Sequence, residues 1–262
     1  EKFFTYDKPF KMENGLLDNF TLAYETYGEL SASSDNAILI CHALTGDHHV
    51  AGVYSENDKR PGWWNHVVGP GKAIDTNKFF VICSNCLGAS KGSTGPTSRK
   101  ENGRIYGINF PDLSILDMVR SQKLLLDHLG VKKLFAVVGG SMGGMQALQW
   151  IVEYPNFLEK AIIIAATAQH TVQTIAFNEA GRRSITDDPD WKEGEYGEGE
   201  GPRRGLAVAR MMAHITYLSD HGMEEKFGGS KRLDSKEQFE FSIQRYLDYQ
   251  GKKFINRFDA NS

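Results

Sequence analysis

The chain has 262 residues, 40% hydrophobic and 24% charged, with a net charge of −3. This is a globular composition, long enough for one large domain or a domain with an insertion. The charge gives no footprint for nucleic acid or an anionic membrane, no apolar run nears the ~20 residues of a membrane span, and Glu1-Lys2-Phe3-Phe4-Thr5 does not read as a signal peptide.

In chain order, residues 20–27 alternate as a strand. Residues 37–41 and 79–83 are short continuous apolar runs, as expected of strands buried on both faces. Residues 114–129 repeat apolar positions at three and four, with Ser114 and Asp117 at capping-box spacing and Gly130 as a stop. Residues 133–138 and 160–165 are two more apolar strands, and between them 145–154 reads as a helix ended by Pro155. Strands alternating with helices predict a mostly parallel sheet. After about residue 170 the buried-strand runs stop. Residues 193–201 read as an acidic, glycine-rich solvated loop. Residues 204–218 and 235–249 read as helices, the second opened by a Ser235…Gln238 box with Phe239, Ile243 and Tyr246 on one face. We therefore expect an α/β core over 1–169 and a helical lid over 170–262.

The chemistry concentrates at Gly139-Gly140-Ser141-Met142-Gly143-Gly144, between an apolar strand and a helix. Strand, G-x-S-x-G, helix is the context of a nucleophile elbow, in which a strained serine projects above a sheet. Ser141 is the expected nucleophile. An acyl-transfer serine needs an oxyanion hole, and two N–H groups suit it. One is that of Met142, after the nucleophile. The other is that of Leu44, in Cys41-His42-Ala43-Leu44-Thr45-Gly46 after the strand at 37–41. His42 reads as a turn histidine rather than a catalytic one. Asp47-His48-His49 suggests a metal, but three adjacent residues converge poorly on one ion, and no metal is expected. Cys41, Cys83 and Cys86, an odd count, favour a reducing compartment over disulfides.

A base steered by a carboxylate should follow the serine. His170, His214 and His221 come too early or lie in helical sequence, and the last sheet strands are missing from the pattern. The catalytic Asp and His are therefore expected beyond Ser262.

Several separated stretches resemble one family, the homoserine O-acetyltransferases of the α/β-hydrolase superfamily. They are Ala23-Tyr24-Glu25-Thr26-Tyr27-Gly28, Cys41 to Gly46, Gly62-Trp63-Trp64, Gly69 to Thr76, Ser84-Asn85-Cys86-Leu87-Gly88, Gly92-Ser93-Thr94-Gly95-Pro96, the elbow, and Arg257-Phe258-Asp259. The resemblance implies an α/β-hydrolase fold. It implies acetyl transfer from acetyl-CoA, a co-substrate, through acyl-Ser141 to the hydroxyl of L-homoserine, a step of methionine biosynthesis needing no metal or other cofactor. It further implies Arg210 and Tyr217, matching the family's substrate-binding arginine and tyrosine, as residues for the homoserine carboxylate. A cytoplasmic enzyme, dimeric through the lid helices, goes with it. A succinyltransferase, a serine acyltransferase or an esterase on the same scaffold remains open, as does an inactive partner-binding module.

Overall fold

The computed structural model describes residues 1–58, 60–197, 199–228 and 241–262. They form two compact units, residues 1–98 with 109–169, and residues 99–108 with 170–262.

The first unit is built on a six-stranded sheet. Its strands in chain order are β1 (Lys2–Tyr6), β4 (Phe20–Tyr27), β5 (Ala37–Cys41), β8 (Phe80–Ser84), β9 (Leu134–Gly140) and β10 (Leu158–Ile164). Two minor pairs, β2 (Phe10–Met12) with β3 (Gly15–Leu17) and β6 (Val68–Gly69) with β7 (Ile74–Asp75), lie in the connections. The spatial order is β1-β4-β8-β5-β9-β10, with β8, β5, β9 and β10 mutually parallel and β4 paired antiparallel to both β8 and β1. This is the mostly parallel sheet that the alternating pattern predicts. Strand β5 is buried throughout, as its continuous apolar run requires. One sheet face packs Ile38, Ile40, Val81, Cys83, Ala136 and Val138 against Val50, Ala51 and Val68 of the connections.

Helix α1 (Ile115–His128) starts at Ser114, whose hydroxyl accepts the Asp117 N–H at 3.1 Å while Asp117 accepts the Ser114 N–H at 3.0 Å. The other Asp117 oxygen takes the Glu13 N–H at 3.0 Å, so this buried cap also anchors the β2–β3 hairpin. Helix α2 (Met142–Glu153) begins three residues earlier than the sequence pattern suggests, directly after Ser141. Strand β10 departs from expectation. Its segment reads as buried, yet Ile162, Ile163 and Ile164 are exposed by 51%, 38% and 42%. Among the described residues β10 pairs only with β9 and forms a sheet edge.

The second unit is helical, with α3 (Val172–Thr186), α4 (Arg203–Thr216), α5 (Asp220–Phe227) and α6 (Ser242–Phe254). Helices α3 and α4 meet where a Cβ on Gly205 would fall 1.9 Å from the Ser184 carbonyl oxygen. Ser184 Oγ donates to Gly205 O, and the Gly205 N–H donates to Asp188. The expected solvated loop at 193–201 is more structured than its composition suggests: Gly194 is buried in a short 3-10 turn, and Tyr196 donates to Asp259 at 3.1 Å. The proposed start at Ser235, Gln238 and Phe239 lies outside the described residues, while Ile243 and Tyr246 lie on α6. No helix among the described residues is long and apolar enough to cross a membrane.

Candidate active site

Strand β9 delivers the chain to Ser141 and α2 carries it away. Between them Ser141 adopts φ 56° and ψ −123°, a left-handed conformation that side-chain-bearing residues rarely take. Such strain persists only where the surroundings enforce it, and it concentrates at functional sites. Here the enforcement is in the backbone. The Ser141 N–H donates to Ile164 O at 3.0 Å, and its carbonyl accepts the N–H groups of Gly144 and Met145 at 2.9 and 3.1 Å. A Cβ on Gly139 would lie 2.0 Å from Gly143 O, and one on Gly143 would lie 2.0 Å from Cys41 O and 2.9 Å from His42 O. The two flanking glycines are thus steric requirements of the turn. The Ser141 residue is exposed, and its hydroxyl caps no helix N–H.

The close approach of Gly143 to Cys41 and His42 brings the turn after β5 against the start of α2. That turn closes through the Gly46 N–H to Ala43 O at 2.8 Å. Neither the Leu44 N–H nor the Met142 N–H donates to an acceptor among the described residues. Met142 directly follows the exposed, strained serine, and Leu44 lies in the turn whose first residues, Cys41 and His42, crowd Gly143.

His42 lies beneath this turn, buried. Its Nδ1 donates to Ala43 O at 2.8 Å and its Nε2 accepts the Cys86 N–H at 3.0 Å. Burial opposes charging this imidazole, while a thiolate at Cys86 would push it up to about 9. The two backbone bonds decide for the neutral ring, because a proton on Nε2 would cost the bond from Cys86. Both nitrogens are occupied, so His42 holds the turn and is not available as a base. On the other side Gln122 donates to Gln146 at 2.6 Å, and Trp150 Nε1 donates to Gln122 at 2.8 Å. This buried network ties α1 to α2 just behind the elbow. Gln122, Gln146 and the Cys86 N–H escape sequence reasoning because their partners are 24 to 60 positions away.

Asp47, His48 and His49 diverge: Asp47 pairs with Lys91, His48 Nε2 lies 3.1 Å from the Glu1 carboxylate and His49 Nδ1 lies 3.1 Å from that of Glu25. Among the described residues no group of three or more His, Cys, Asp or Glu side chains could hold a metal ion.

In the second unit Arg210 and Tyr217 come together, Arg210 Nη1 donating to the Tyr217 hydroxyl at 3.3 Å. The guanidinium also lies 4.8 Å from the centre of the Phe254 ring. One turn along α4, His214 is buried with Nδ1 2.9 Å from the Tyr246 hydroxyl. Burial, reinforced by the charges of Arg210, Lys226 and Arg257, pushes His214 down to about 4, so it is neutral near pH 7. His221 lies in α5 and His170 just before α3.

The profile of the alpha/beta hydrolase fold family matches residues 36–262. The chain belongs to the α/β hydrolase family. It is 56% identical over 266 residues to the homoserine O-acetyltransferase of Methanococcoides burtonii, covering 98% of this chain and 54% of that protein. The chain spans about half the length of the curated relatives it matches first. Among solved structures it superposes on the homoserine O-acetyltransferase of Bacillus anthracis with a TM-score of 0.89 and 34% identity, over 99% of this chain and 72% of that one. Esterase E22 is as similar, with a TM-score of 0.87 and 34% identity over 99% and 74% of the two chains. The α/β hydrolase fold thus matches the expectation from the sequence.

Proposed function

We propose that this chain carries the nucleophilic half of a homoserine O-acetyltransferase. The observation that carries the reading is Ser141, held at positive φ between two sterically obligatory glycines, with the N–H groups of Leu44 and Met142 donating to no acceptor among the described residues and so open for an oxyanion. The curated relatives at 51–56% identity, all named homoserine O-acetyltransferase, supply the acyl group and its acceptor.

In this reading Ser141 Oγ attacks the thioester carbon of acetyl-CoA and gives its proton to a base. The carbonyl oxygen becomes an oxyanion between the Leu44 and Met142 N–H groups. Collapse breaks the C–S bond, and the CoA sulfur leaves with a proton, giving acetyl-Ser141. The homoserine hydroxyl then loses its proton to the base and attacks the ester, and Ser141 regains a proton as O-acetylhomoserine departs. No step calls for a metal or another cofactor. His42 is excluded as the base by its two backbone bonds, so we place the base and its carboxylate partner in sequence beyond Ser262. Arg210, oriented by Tyr217, is the residue for the homoserine carboxylate, since a planar guanidinium matches that group in two parallel hydrogen bonds. The helical unit serves as the lid that keeps water from the acyl-enzyme and, through its exposed apolar side chains such as Val172, Ile175 and Val208, as the contact between two copies in a cytoplasmic homodimer.

The similarity to esterase E22 favours hydrolysis as the second reading. Intact-mass measurement after mixing the whole protein with acetyl-CoA should show one acetyl group, lost in Ser141→Ala. Adding homoserine should discharge it faster than water alone. An adduct surviving in Ser141→Ala would refute the nucleophile, and discharge indifferent to homoserine would select the esterase.

A further inference from the structure

The stretch Ala23-Tyr24-Glu25-Thr26-Tyr27-Gly28 and the cluster Asp47-His48-His49 have no part in the chemistry above, yet the structure joins them. Glu25 sits on β4 opposite Cys83 of β8, with only 9% of its side chain exposed. Its carboxylate accepts hydrogen bonds from the Tyr27 and Tyr54 hydroxyls, and His49 Nδ1 lies 3.1 Å from one oxygen and 3.3 Å from the other. Burial alone would raise the Glu25 carboxyl, but these three donors outweigh it and hold it below its ordinary value. Burial and the carboxylate together push both tyrosine hydroxyls up, so they remain protonated donors. Glu25 is therefore a buried anion near pH 7 and a fixed point.

What it fixes is the chain after the turn that carries Leu44. His49 is held by its ring, which also stacks on Tyr54 at 4.1 Å between ring centres. The Ala51 N–H donates to the same Tyr27 hydroxyl at 3.1 Å. Tyr54 is held by its own hydroxyl. The segment is fastened again by the Trp63 and Trp64 N–H groups to His49 O and Val50 O at 3.1 and 2.8 Å. Between Gly46 and His49, Asp47 pairs with Lys91, accepts the His49 N–H at 3.1 Å and takes Trp63 Nε1 on its carbonyl at 2.9 Å. The turn at 43–46 is thus suspended between two buried moorings. One is His42, bonded to the Cys86 N–H and packed under Gly143. The other is the Glu25 hub, three residues past Gly46.

We infer that Glu25 is a positioning residue that sets the Leu44 N–H for the oxyanion through His49, Tyr27 and Tyr54, an inference that rests on the proposed acyl-transfer function. An oxyanion donor acts through its placement before the reaction, and a displacement of about 1 Å costs on the order of 100-fold in rate. Substrate binding in the ground state does not use that donor, so KM should be insensitive to it.

The test is Glu25→Gln in the whole protein, which keeps the shape of the side chain and removes the charge. Acylation of Ser141 by an activated acetyl ester should slow by about 10- to 100-fold in kcat, with KM within about threefold. Affinity for a trifluoromethyl ketone, which mimics the tetrahedral oxyanion, should fall in proportion to kcat/KM. Tyr54→Phe removes one donor from a residue that is 59% exposed, so folding should be kept, and the same pattern should appear at about 3- to 10-fold. A folded Glu25→Gln that keeps both kcat and ketone affinity overturns the inference. So does a change confined to KM, and so does an unaffected Tyr54→Phe if Glu25→Gln does not fold. Ser141→Ala is assayed alongside: acylation surviving there refutes the site itself, whatever Glu25 does.

Discussion

The contact between Gly143 and the turn after β5 can be tested with one methyl group. In Gly143→Ala the new Cβ would lie 2.0 Å from Cys41 O, 2.6 Å from Cys41 C and 2.9 Å from His42 O. Real Cβ contacts essentially never fall below 3.0 Å, so α2 and the turn must separate by about 1 Å. All three obstructing atoms are backbone, and no rotamer change relieves them. Overpacking of this kind costs about 1–3 kcal/mol, or a fall in melting temperature of roughly 2–12 °C for a chain of this size. The catalytic effect should be larger in proportion. The same 1 Å moves the Leu44 and Met142 donors apart, and losing one such donor costs about 100- to 1000-fold in kcat. Gly140→Ala is the matched control: its Cβ meets only Ile164 O at 3.8 Å, an ordinary contact, so stability should stay within about 0.5 kcal/mol. Calorimetry and single-turnover acylation of both variants in the whole protein supply the numbers. A Gly143→Ala variant that acylates as fast as the parent would show that this approach does not set the oxyanion geometry.

Two other outcomes follow from the helical unit. Arg210→Ala should weaken homoserine use by about 100-fold or more, the scale of a lost charge-assisted hydrogen bond at ~1.5–3 kcal/mol per bond and a bidentate pair, while leaving acylation by acetyl-CoA nearly intact. Equal loss in both half-reactions would point to damage to the fold instead. His214 is neutral in the folded unit down to about pH 4 but charges near 6.5 when unfolded. The unfolded state therefore binds more protons between these values, and stability should fall as pH drops through that window and level off below about 4. His214→Gln should flatten this part of the melting profile, and an unchanged slope would disprove the assignment.

How legible these features are depends on how local their causes are. The elbow is readable because part of its cause is local, Gly139 answering to Gly143 four residues on, and because an apolar strand and a helix flank it, whereas the reason for Gly143 lies in Cys41 and His42, about a hundred positions away. The α1 cap is readable for the same reason. Helix α3 leaves no signal: it buries none of its residues, and Val172, Ile175 and Phe177 are all exposed, so no apolar stripe appears. Strands β2 and β3 have three residues each, too few to show alternation. The run at 160–165 has the composition of a buried strand, but exposure is set by what lies alongside, which composition does not encode. The Glu25 hub is invisible in sequence because, although Tyr27 lies two positions away on the same strand, His49 and Tyr54 reach it from a connection 24 and 29 positions on. His42 is misleading by residue type alone, since the bonds that spend its nitrogens are backbone bonds.

The three cysteines give this fold a built-in reporter. Cys41 ends β5, Cys83 lies in β8 and Cys86 lies two residues beyond its end, and all three are free and buried. Burial pushes the Cys41 and Cys83 thiols well up, so neither forms thiolate in the closed structure. An alkylating reagent can reach them only when the ends of these strands open. Cys41 ends the strand that leads into the turn carrying Leu44, and its carbonyl lies against Gly143 of the elbow. The rate of thiol capture therefore clocks the opening of these strand ends, without a probe having to be added.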